Sequence, residues 1–189
     1  MSTATQKVKN PFKPGAGHMP PYLAGREHES REFSRLLEQD TILENLVLTG
    51  LRGLGKTVLL DTFKPTAIQA GWLWAGTDLS ESISISEENL ATRLLTDLAV
   101  VTSSIVVAME SARRAGFVDE PPKPITLNYE NLKALYDCIP GLVSDKLKGV
   151  LETVWSHVQA LDRKGIIFAY DEAQNLSDHA AREQYPLSL

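Results

Sequence analysis

Cysteine is nearly missing from this 189-residue chain: Cys138 stands alone, and the four histidines are scattered. No internal disulfide can form and no metal-ligand spacing exists, which excludes stapled secreted scaffolds and zinc modules and points to a reducing, cytoplasmic setting. Long apolar runs are missing too. The longest stretch, Leu98 to Met109, is too short and too interrupted by Ser and Thr to cross a bilayer, and the N-terminus lacks the apolar core of a signal peptide. No membrane partner is expected. Nor is there a basic excess: 24 acids against 19 bases give a formal net charge of -5, which does not support DNA as a partner of the whole chain. What remains is a composition with 43% hydrophobic and 23% charged residues, that of an ordinary globular fold.

Residues 1–21 carry Lys7, Lys9 and Lys13, no acid, and Pro11, Pro14, Gly15, Gly17, Pro20 and Pro21. They read as a flexible basic arm that cannot make a core. Residues 22–189 then form the globular domain. Phe33, Leu36 and Leu37 fall at helical spacing, and Leu46-Val47-Leu48-Thr49 reads as a short buried strand. After Gly50 to Thr57, a helix runs from Val58 to Ala70 and stops at Gly71, with Pro65 expected to kink it or end its first section. Trp72-Leu73-Trp74-Ala75 forms a second strand with both tryptophans packed on one face. Ser86 caps a long amphipathic helix whose apolar positions recur from Leu90 to Met109. A short helix over Tyr129–Cys138 and a longer one from Val143 to Leu161 follow, the latter ending in Arg163, Lys164 and a Gly165 stop. Ile166 to Tyr170 is a third strand with too few polar residues to face water on either side. Alternating strands and helices predict an α/β fold with a parallel sheet flanked by helices in three layers.

The strongest chemical signal is Gly50-Leu51-Arg52-Gly53-Leu54-Gly55-Lys56-Thr57, which satisfies G-x-x-x-x-G-K-[ST] at every fixed position. Such a match arises by accident in roughly one chain in a hundred of this length. Polyphosphate must be met by many donors at once, and Gly50, Gly53 and Gly55 let the backbone wrap closely with its N–H groups inward. Lys56 is assigned to the β- and γ-phosphates of ATP and Thr57 to Mg2+. The third strand ends in Asp171-Glu172, where parallel sheets bind ligands. Asp171 is read as a metal ligand, direct or through water, and Glu172 as the base that activates water against the γ-phosphate. Arg93, with Arg113 and Arg114, is read as solvated rather than as a DNA-facing stripe. Cys138 is read as a small apolar helix residue, and His18, His28, His157 and His179 as surface or helix-face residues.

These motifs resemble those of the P-loop ATPases of the AAA+ and STAND type, especially the origin-recognition-like and transposition-associated branches. Leu23-Ala24-Gly25-Arg26-Glu27 looks like the G-R-E box that lies near the adenine in that group. Gly50 to Thr57 is similar to its Walker A loop, including the Arg-Gly pair, and Ile166 to Glu172 with Ala173-Gln174 looks like its Walker B strand. The resemblance spans residues 23–174. It implies nucleotide binding through Gly25, Arg26 and the loop, catalysis through Lys56 and Glu172, and magnesium on Thr57 and Asp171. It also implies hydrolysis of ATP to ADP coupled to conformational change, remodelling of a DNA-associated complex, and assembly into a homo-oligomer or larger complex. A nucleotide-controlled switch or scaffold with little turnover is the alternative. The family's sensor strand and helical lid have no counterpart in the 15 residues after Gln174, of which Ser177 to Gln184 read as a helix start. The chain is therefore expected to be the first part of a larger ATPase, incomplete on its C-terminal side. The roughly 90 residues between the second and third strands exceed a minimal crossover and are expected to include a partner-binding segment.

Overall fold

A computed structural model describes residues 25–39, 42, 44–76, 78–79, 86–110 and 123–173. The basic arm, Leu23, Ala24, Arg113, Arg114, Gln174, the Ser177–Gln184 segment, His18 and His179 lie outside them. The fold is mixed α/β with a small parallel sheet. The chain divides into two compact units, residues 1–63 and 64–189.

In the first unit, α1 (Glu27–Leu37) turns Phe33 and Leu37 inward, and α2 (Lys56–Gln69) begins directly after the glycine loop. The Phe33 and Phe63 rings stack with centroids 4.2 Å apart and planes 9° from parallel, which fixes α1 against the middle of α2. Such a pair adds about 0.5–1.5 kcal/mol beyond its buried area. The predicted strand at residues 46–49 does not form: the segment is irregular, with Val47 72% and Leu46 44% exposed. A strand needs a neighbour for its backbone groups, and no described residue pairs with this segment. Pro65 does not end α2, which continues to Gln69. Asp61, whose carbonyl loses its helical donor at Pro65, is exposed, so water can take that hydrogen bond.

In the second unit, β1 (Trp72–Ala75) pairs in parallel with β4 (Gly165–Phe168), from Trp72 opposite Gly165 to Ala75 opposite Phe168. Between them, α3 (Glu87–Thr102) starts where Ser86 Oγ accepts the Asn89 N–H at 3.2 Å, with Glu87 and Glu88 complementing the dipole of the first turn. The helix stops at Thr102, short of the predicted Met109, because Ser103-Ser104 leads into the β-branched Ile105-Val106-Val107. Val106–Glu110 is instead β2, antiparallel to β3 (Lys123–Thr126), and Met109 is exposed. Buried Thr102 Oγ1 donates toward Leu127 O at 2.8 Å and Leu98 O at 2.9 Å, joining α3 to the end of β3.

Then α4 (Tyr129–Cys138), capped by Asn128, and α5 (Val143–Ala160) follow where the sequence predicts helices. Their inward faces, with Leu132, Val150, Val154 and Val158, meet Leu95 and Leu98 of α3 in one core against which Leu73, Ile166 and Phe168 pack. Gly165 does not stop α5. Asp162, at φ +56°, turns the chain earlier, and Gly165 opens β4 where an added Cβ would lie 2.5 Å from the Trp72 ring.

Candidate functional site

The glycine loop is built within the first unit. Gly53 and Gly55 have φ of +85° and +74°, with Leu54 between them on the negative side. Alternation of this kind turns successive backbone N–H groups toward one side, the arrangement that holds anions. An added Cβ at either glycine would meet nothing within 4 Å, so backbone conformation and not space demands glycine there. Helix α2 opens at Lys56, and its first backbone bond runs from Leu59 N–H to Gly55 O at 2.9 Å. The N–H groups of that first turn and the positive end of the helix dipole therefore face the same loop. Lys56 Nζ donates to Gly50 O at 3.0 Å and Leu51 O at 3.2 Å, which places the ammonium against the loop's own backbone.

Arg26 reaches the loop from 28 residues away: its Nη2 donates to Leu54 O at 2.6 Å, and its Nη1 bonds Glu29 Oε1 at 2.5 Å. The guanidinium beside Glu29 holds that carboxyl below its ordinary value. Gly25, at φ +74°, makes the turn that brings Arg26 into α1. Thus Gly25 and Arg26 join Gly50 to Thr57 in one unit. Thr57 is exposed on the first turn of α2.

The acid pair belongs to the second unit. Leu79 N–H donates to Asp171 O at 3.1 Å, and Asp78 and Asp171 form a parallel bridge that extends the β1–β4 pairing. Ala169 N–H donates to Ala75 O at 2.8 Å. Half-buried Asp171 accepts the Glu172 N–H on Oδ1 at 2.9 Å, while Glu172 is exposed at φ +56°. Left-handed backbone at a glutamate costs about 1–2 kcal/mol, so the surrounding contacts must hold it.

Asp97 has no place in the sequence-based expectations, and Tyr170 stands there only as a strand residue. Asp97, 5% exposed on α3, accepts on Oδ2 from both Arg93 Nε and the Tyr170 hydroxyl, each at 2.9 Å. Burial, and then the adjacent Asp97 carboxylate, push the Tyr170 phenol far above its ordinary value, so it stays a neutral donor. Arg93 is half-buried rather than fully solvated, and its guanidinium is committed to Asp97, one helical turn along. The available signal was an acid inside the apolar run Leu94 to Leu98, four residues after an arginine.

Compared with protein families, curated proteins and solved structures, the chain matches none of them. Among the described residues no helix is long and apolar enough to cross a membrane, and no three His, Cys, Asp or Glu side chains gather as a metal site. Cys138 is exposed at the end of α4, His28 is exposed on α1, and His157 is half-buried on α5.

Proposed function

We propose that the chain is a P-loop nucleotide-binding protein that hydrolyses ATP with magnesium. The observation that carries this reading is the loop itself: left-handed Gly53 and Gly55 flow into a helix at Lys56, whose ammonium rests on the Gly50 and Leu51 carbonyls. That combination offers backbone N–H groups, a helix N-terminus and a cation to one polyphosphate. In this reading Lys56 exchanges its loop carbonyls for phosphate oxygens, and Arg26 holds the loop's outer turn through Leu54. The Thr57 hydroxyl and the Asp171 carboxylate are oxygen donors of the kind magnesium takes, and the ion when bound neutralises phosphate charge. Glu172, exposed and fixed just after Asp171, accepts a proton from the attacking water. Energy released on hydrolysis drives conformational change in a larger assembly, whose DNA association is part of the proposal.

Steady-state ATP turnover with magnesium in the parent, Lys56→Ala and Glu172→Gln proteins tests this reading. Loss of the proton acceptor is expected to lower kcat by about 100-fold or more with little change in nucleotide affinity, whereas Lys56→Ala weakens binding itself. Normal turnover in Glu172→Gln would remove that residue from the chemistry. Saturable binding with no turnover in the parent would leave the nucleotide-controlled switch.

A further inference from the structure

The Asp97 cluster is a costly way to fill space. A carboxylate on the core face of α3 needs partners to be tolerated there, and an apolar residue of similar size would pack without them. Its partners are specific: Arg93 Nε and the Tyr170 hydroxyl converge on the same oxygen, Oδ2. Tyr170 immediately precedes Asp171, so its side chain ties the acid-bearing segment to α3 from one side. Backbone bonds tie it from another, through Ala169 N–H to Ala75 O and Leu79 N–H to Asp171 O. Directly beyond these ties, Glu172 keeps a left-handed backbone at φ +56° while its side chain is exposed.

We propose that Tyr170 and Asp97 are positioning residues: the phenol-to-carboxylate bond fixes residues 169–171 and thereby the direction in which Asp171 and Glu172 present their carboxylates. Arg93 keeps Asp97 Oδ2 turned toward the phenol. The proposal rests on the ATPase reading of Asp171 and Glu172. It assigns α3 a part in turnover that does not involve touching nucleotide.

Tyr170→Phe removes one oxygen and leaves the ring, so the fold is expected to survive. Two readouts on the full chain test the proposal. Amide hydrogen exchange at Leu79 and Ala169 is expected to quicken about tenfold, with Val150 and Val154 in α5 unchanged. In the same variant kcat for ATP is expected to fall about tenfold, with KM within about twofold of the parent. Unchanged exchange at Leu79 and Ala169 overturns the proposal whatever turnover does. Faster exchange with normal kcat reduces the bond to a purely structural one and also overturns it. A parent chain that binds but never hydrolyses ATP overturns the catalytic reading of the acid pair, and this positioning role with it. An active parent beside an unaffected variant overturns the positioning role alone.

Discussion

Gly76 lies where β1 ends, at φ +116°. A Cβ built there would sit 2.2 Å from Ala169 O, 2.9 Å from Ala169 C and 3.0 Å from Ala169 N. All three are backbone atoms of the strand extension that carries Tyr170 and Asp171, so no side chain can swing aside to relieve the overlap. Gly76→Ala therefore adds two costs. The backbone conformation contributes about 1–3 kcal/mol, and forcing the two segments apart about 1–3 kcal/mol more. A loss of about 2–6 kcal/mol follows, a large part of the 5–15 kcal/mol that holds a typical domain. The Ala169 N–H to Ala75 O bond, now 2.8 Å, is the first rung to lengthen. Gly53→Ala and Gly55→Ala are the comparison, because there a Cβ meets nothing within 4 Å and only the left-handed penalty of about 1–2 kcal/mol applies. Urea unfolding of the three variants and the parent, followed by tryptophan fluorescence and far-UV circular dichroism, measures the difference. Gly76→Ala losing no more stability than Gly53→Ala would refute the close approach of Gly76 to Ala169.

Thr102→Val keeps the shape but takes the hydroxyl from Leu127 O inside the core, at an expected cost of about 1–2 kcal/mol in urea unfolding; an unchanged midpoint would show that this bond contributes nothing. Val47→Thr is expected to change stability by less than about 0.5 kcal/mol, since Val47 is 72% exposed and outside any strand. A loss well above 1 kcal/mol in the same assay would restore the buried strand that the sequence predicts for residues 46–49.

Elements with a local cause could be read directly from the residues. Helix α5 follows an uninterrupted 3.6-residue apolar rhythm, and Ser86 is a cap whose side chain bonds the third backbone N–H onward. Elements decided by distant partners could not. Leu46 to Thr49 is as apolar as β1, but β1 has β4 beside it while residues 46–49 have no described partner. Val106 to Glu110 continues the helical spacing of α3, and its antiparallel pairing with Lys123–Thr126 prevails over that spacing. Periodicity counts apolar positions and is blind to a partner strand. The candidate site divides in the same way. The glycine loop announces itself because its chemistry is consecutive in sequence, and so does the acid pair. The Arg26 to Leu54 contact spans 28 residues and the Asp97 to Tyr170 contact 73, so only the fold brings them together.

Equilibrium titration of the purified chain with ATP and magnesium, beside a Lys56→Ala variant shown by circular dichroism to be equally folded, is the most direct test that the Gly50 to Thr57 loop is a nucleotide site. A nucleotide site there gives saturable binding by the parent that weakens at least tenfold in the variant, as expected when a partly buried charge-assisted contact to phosphate is lost. A well-folded parent that does not bind ATP, or binds it equally well without Lys56, would contradict it.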